Sequence, residues 1–152
     1  MKRHESIIVL SREHHFGLLF CWKIRQGLKK QVPAKRIQPY VKYFWDNHLQ
    51  RHFEEETFLF DALQDSLCER AISEHIRITQ LVENVISTES VQLDQLNLLA
   101  DFLDDHIRFE ERTLFPHLEK ELTENKLAEI GMHLQQLHPM HEKDDYPDEF
   151  WV

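Results

Sequence analysis

The chain predicts an all-α protein: an up-down-up-down four-helix bundle with an extra short C-terminal helix and an irregular tail. Three observations support this. Only three glycines and five prolines occur among 152 residues, and the abundance of Leu, Glu, Gln, Lys and Arg favours helix over sheet. Apolar residues recur at three- and four-residue steps along four long stretches, the period of a helix with one buried face. The breaks between stretches are a few residues long, as antiparallel neighbours require. One domain over residues 1–152 is expected, long enough to bury a sizeable core, with the bundle over about 5–122 and a helix and tail over 123–152.

The first helix runs over about 5–30 and stops before Val32-Pro33, because a proline disfavours helix in the residue before it. The second covers about 39–67, with Trp45, Leu49, His52, Glu56, Leu59 and Leu63 on one stripe. The third covers about 69–86 and ends at Ser87-Thr88-Glu89-Ser90. It turns Cys68, Ala71, His75, Ile78, Val82 and Val85 inward and Glu74, Arg77 and Gln80 outward. The fourth covers about 91–122 and aligns Leu96, Leu99, Leu103, His106, Glu110 and Leu114; Pro116 predicts a kink or break one turn past Glu110. A short helix over about 124–137 is expected on the outside of the bundle. The tail from His138 has no helical period, and Tyr146, Phe150 and Trp151 are expected to pin it down.

A formal charge of -9 argues against a nucleic-acid surface, which needs clustered Lys and Arg. Lys23, Arg25, Lys29, Lys30, Lys35 and Arg36 do gather, but read as a solvated helix end. No apolar run approaches a membrane span, and the segment after Met-Lys-Arg-His-Glu is too polar for a signal peptide. Cys21 and Cys68 sit in apolar runs without paired spacing and read as free buried thiols. A cytoplasmic protein is expected.

Eleven histidines are the anomaly of the composition. His106-Ile-Arg-Phe-Glu110 and His52-Phe-Glu-Glu-Glu56 each place an imidazole and a carboxylate four residues apart, on one side of a helix. His75 faces the core of the third helix. On the first helix, His14 lies on the more consistently apolar line, with Ile7, Leu10, Gly17, Cys21 and Ile24. Gly17 and Cys21 there would leave room for a metal. His14 is therefore preferred to His15, a weaker ligand candidate that is read as a rim residue or as a support behind a ligand.

His14, His52, His75 and His106 would supply four nitrogens, and Glu56 and Glu110 two bridging carboxylates. Six ligands exceed one tetrahedral zinc and suit two metals with positions left open; iron is the most natural occupant (Fe2+/Fe3+), with manganese or zinc possible. His48 extends the second-helix row but lies nearer its edge and is a weaker candidate. Glu55 and Glu111 are expected to face solvent or to orient an imidazole. His117 is placed at the bundle end, and His133, His138 and His141 in a loose C-terminal cluster. Nothing fixes the direction of Tyr40 and Tyr43. No phosphate loop, Ser/His/Asp arrangement or Cys-x-x-Cys pair is present, and no residue pattern names a substrate or a reductase.

Ser11-Arg-Glu-His14-His15, His52-Phe-Glu-Glu-Glu56, Ser73-Glu-His75 and His106-Ile-Arg-Phe-Glu110-Glu111-x-x-Leu-Phe-Pro116 together resemble the hemerythrin-like family, or HHE cation-binding domain, over about residues 5–120. The resemblance implies a four-helix bundle around a non-haem di-iron centre. Oxygen-carrying hemerythrins have a further histidine four residues after the third-helix ligand, where this chain has Thr79. The four-His, two-Glu inventory looks instead like family members linked to iron–sulfur repair, nitric oxide response or iron sensing. The resulting expectation is a di-iron protein that binds or reacts with O2, nitric oxide or peroxide. The alternatives are an iron sensor or store without turnover, and a structural or partner-binding bundle.

Overall fold

The computed structural model describes residues 2–137 and 144–152; His138 and His141 of the expected C-terminal cluster lie outside them. The described residues hold helices and no strand. The helices are α1 (Ile8–Lys29), α2 (Ala34–Phe44), α3 (Gln50–Asp61), α4 (Ser66–Ser87), α5 (Leu93–Phe109), α6 (Phe115–Glu121) and α7 (Glu124–Leu137). Two π-helical turns, Trp45–Leu49 and Glu110–Leu114, join α2 to α3 and α5 to α6 without a break. Four helical columns result, and each packs on two others: α1 on α5 and on α2/α3, and α4 on the same two columns. α7 spans its expected residues and packs against α3, burying Leu127, Ile130 and Leu134.

Several boundaries differ from expectation, for physical reasons. The second column starts at Ala34, and Pro39 lies inside α2. Pro39 faces solvent, where water can satisfy the carbonyl it fails to bond, while Ile37, Tyr40, Val41 and Phe44 are buried at helical spacing. That column ends at Asp61 rather than near 67, because Gln64 adopts a positive φ of 55° and Asp65 then caps α4, accepting from the Cys68 N–H at 3.1 Å. α5 begins at Leu93 behind a reciprocal Gln92/Gln95 capping box.

The expected break at Pro116 is a π-turn beginning six residues earlier. The Phe115 N–H bonds back five residues to the Glu110 carbonyl, and Pro116 has no N–H to continue the series to Glu111. Arg3 Nη2 instead donates to the Glu111 carbonyl at 3.0 Å.

The buried apolar residues form two groups. One includes Phe20, Leu49, Ile78, Leu103 and Phe150; the other includes Leu10, Leu59, Ala71, Leu114 and Phe115. On every column the site candidates fall between them: His14 between Leu10 and Phe20, His52 and Glu56 between Leu49 and Leu59, His75 between Ala71 and Ile78, and His106 and Glu110 between Leu103 and Leu114. The polar cluster is a belt across an otherwise apolar interior.

The tail returns to the bundle. Phe150 is buried against Gly27, where an added Cβ would sit 2.9 Å from both Ile37 and Phe150. Lys23 corrects the solvated-end reading. It is buried, pairs with Asp144 at 3.0 Å and lies 3.9 Å from the centre of the Trp151 ring. Arg25 and Arg36 are likewise paired, with Asp101, Asp104 and Asp148. Cys21 and Cys68 are free and buried.

Candidate metal centre

The four histidines and two glutamates converge. Glu56 Oε2 lies 3.1 Å from His14 Nε2 and 3.2 Å from His52 Nε2, and its Oε1 lies 3.1 Å from His75 Nε2. Glu110 Oε1 lies 2.9 Å from His14 Nε2, and its Oε2 lies 3.1 Å from His106 Nε2 and 3.5 Å from His75 Nε2. Both carboxylates are fully buried. Two groups of four follow, each with ligand atoms within 4.8 Å of one another: His14, His52, Glu56 and Glu110, and Glu56, His75, His106 and Glu110. The glutamates are common to both groups.

The electrostatics are those of a charged cluster held away from water. Burial alone would raise both carboxyls and depress the imidazoles. The neighbouring histidines outweigh that for Glu56, held well below the carboxylate range, and for Glu110, at about 2 against burial and the Glu56 charge. Conversely, burial lowers His52 and His106, but the carboxylates bring them up to about 10 and about 9. His14 is likewise raised by Glu110, Glu111 and Glu56 against its burial.

The donors fit a metal. His52 Nε2, His106 Nε2 and both oxygens of Glu110 are buried, and their close ion-pair contacts lack the geometry of a hydrogen bond, a costly arrangement unless another group meets them. Nitrogen and carboxylate donors of this kind suit first-row transition metals.

Three further carboxylates hold the imidazoles from behind. Glu111 meets His14 Nδ1 at 2.8 Å, Glu13 meets His52 Nδ1 at 3.2 Å, and Glu74 meets His106 Nδ1 at 2.8 Å. Each adjoins a cluster residue in sequence and reaches a histidine on another column. Such contacts fix ring orientation, with Nδ1 as donor and Nε2 turned to the centre. Glu74, expected to face outward, thus reaches His106 instead, and helical periodicity singles out neither it nor Glu13. Their signal was position, a glutamate directly before His14 and before His75 as Glu111 directly follows Glu110, which helical periodicity discards. The Glu111 expectation is met through His14, whereas Glu55 is buried beside Arg51 Nε at 3.2 Å.

The other candidates fall elsewhere. His15 is exposed. His48 belongs to neither four-residue group, yet it is buried rather than at an edge. It joins Phe16, Phe44, Leu103 and Ile107 in lining a cavity of about 20 Å³ against His14, His52, His106 and Glu110. Gly17 also lines this cavity, but its lack of a side chain makes room for Ile107, whose Cδ1 would be 2.6 Å from a Cβ there. His117 pairs with the helix-capping Asp65, and His133 stacks on Phe58 with ring centres 3.8 Å apart. Tyr40 and Tyr43 donate to Asp144 and Asp145 of the tail.

Fold and site together define a helical protein with buried His/Glu groups that could hold metal cations. The family model for the hemerythrin HHE cation binding domain matches residues 5–118, and the chain belongs to that family. No curated protein and no solved structure matches it. Among the described residues, no helix is long and apolar enough to cross a membrane.

Proposed function

We propose that the cluster holds two metal ions, with iron the natural occupant and manganese or zinc possible, and that the protein binds or reacts with O2, nitric oxide or peroxide. The observation that carries this is the sharing of Glu56 and Glu110 by two four-residue groups. His14 and His52 would bind one ion, His75 and His106 the other, and the two carboxylates would bridge. Iron so bound supplies open positions and one-electron chemistry for a small oxygen or nitrogen species. The protein's own part is to fix the imidazoles through Glu13, Glu74 and Glu111 and to exclude bulk water with Phe16, Phe44, Leu103 and Ile107. The adjoining cavity of about 20 Å³ has room for a water or a diatomic molecule, which favours such ligands over an organic substrate.

We further read the columns as an up-down-up-down bundle forming one domain, since short connections join mutually packed columns. A cytoplasmic location fits the two free, buried thiols.

Anaerobic loading with Fe(II), with iron counted per chain, followed by admission of O2 tests the reading. Two irons and a new oxo- or peroxo-type absorption are expected, and reversal under vacuum would indicate carriage. Two irons without an optical response would move the function to an iron sensor or store. Full retention of both irons by Glu56→Ala or Glu110→Ala protein would sink the ligand assignment.

A further inference from the structure

Tyr43 stands between the cavity wall and the tail. Its ring centre is 6.3 Å from that of His48, which lines the cavity beside His52 and Glu110, and 5.1 Å from that of Tyr146. Its hydroxyl donates to Asp145 Oδ1 at 2.6 Å, and the Tyr43 phenolic oxygen accepts from the Asp145 N–H at 3.3 Å. A phenol loses an electron readily when its proton leaves at the same time, and here a carboxylate stands ready to take that proton. Burial, together with the Asp145 carboxylate, holds the Tyr43 phenol up at about 12, so it carries a proton to give at neutral pH.

Two side chains of the tail could pass the vacancy on to the surface. Trp151 lies under the Lys23 ammonium at 3.9 Å. That charge opposes a second positive charge on the indole, so a radical cation is disfavoured there. Tyr146 is partly exposed, and its tilted ring lies 5.1 Å, centre to centre, from both Tyr43 and Tyr40. It has no such cation over its ring among the described contacts.

We infer that Tyr43 and Tyr146 form a one-electron relay from an oxidant of the peroxide class in the cavity to the protein surface. The inference rests on the metal-pair reading above. In one passage Tyr43 gives an electron to the oxidant and its phenolic proton to Asp145. Tyr146 then restores Tyr43 with an electron, and Asp145 returns the proton. The Tyr146 proton goes to water, and a soluble one-electron donor of the thiol or ascorbate class refills Tyr146. Two passages supply the two electrons that convert one peroxide, with two protons from water, into two molecules of water. Without the relay, the oxidant would attack the rings that line the cavity.

The test compares the full-length wild-type and Tyr43→Phe proteins, each loaded with Fe(II), assayed for iron, oxidised fully to Fe(III) in air so that the metal holds no electrons for the peroxide, and then treated with one equivalent of hydrogen peroxide without added reductant. Rapid-freeze electron paramagnetic resonance detects radicals, and peptide mass spectrometry maps the oxidised side chains. A tyrosyl radical, then hydroxylation or dityrosine at Tyr146 with Trp151 spared, is expected in the wild type. In the variant, Tyr146 products should fall several-fold while oxidation shifts to Phe16 and His48. Asp145→Asn, which keeps an acceptor oxygen but takes no proton, should produce the same fall. Equal Tyr146 oxidation in wild type and Tyr43→Phe at two irons per chain would overturn the relay alone, as would oxidation centred on Trp151. Iron below two per chain in the wild type would overturn the metal-pair reading and the relay with it.

Discussion

Glu74 Oε1 lies 2.8 Å from Nδ1 of His106, joining α4 to α5 behind the cluster. His106 lowers the Glu74 carboxyl against partial burial, with Arg70 adding to the effect at 3.0 Å. The carboxylate therefore stays ionised and holds the imidazole with Nε2 directed at Glu110. Glu74→Ala should leave the helices intact, because Glu74 is one-fifth exposed, but lower metal affinity by roughly 10–100-fold, the usual cost of losing such a partner. Chelator competition against wild type measures this. Unchanged affinity would mean that the contact does not orient the ring.

The pH dependence should differ in sign with and without metal. In the metal-free protein His52 and His106, at about 10 and about 9, lie above their ordinary value of 6.5. Each therefore contributes stability that is complete below 6.5 and is lost as pH rises through 9 to 10. Glu110, at about 2 against an ordinary 4.5, contributes stability that is complete above 4.5 and is lost as pH falls through 2. Metal needs neutral imidazoles, so loading should release protons, and apparent metal affinity should rise between pH 6.5 and 9. Melting curves in chelator and indicator-dye titrations of proton release check both trends. A metal-free Tm that climbs over this range would contradict the prediction.

Arg3 completes the second π-turn. It donates to the Glu111 carbonyl at 3.0 Å and pairs with Glu119 at 2.6 Å. Arg3→Met removes both contacts while keeping much of the apolar stem. It should cost about 1–3 kcal/mol, the penalty of leaving a partly buried acceptor unmet. Denaturant unfolding measures the loss. A midpoint equal to wild type would show that water replaces the guanidinium.

Much of the site was legible in the chain because its residues obey local rules. The His52/Glu56 and His106/Glu110 pairs follow from the helical repeat, and every residue that the periodicity turns inward on α4 and α5 is buried, with Leu81, Ala100, Ile107 and Phe109 buried beside them. His14 and His15 were separable because an apolar line runs through only one of them. The helix ends were less legible. Gln64 carries a left-handed backbone conformation with no glycine to signal it, and the π-turn at Glu110 arises from Pro116 together with the distant Arg3.

By itself, then, the sequence determined the helical class, the inward-facing stripes and the six residues able to meet, because each depends on contacts three or four residues apart. Only the tertiary structure decided that Glu13, Glu74 and Glu111 hold the imidazoles, that Lys23 is buried under the tail, and that His48 lines the cavity. Those depend on where one helix sits against another, and a repeat along a single helix carries no record of its neighbour's register.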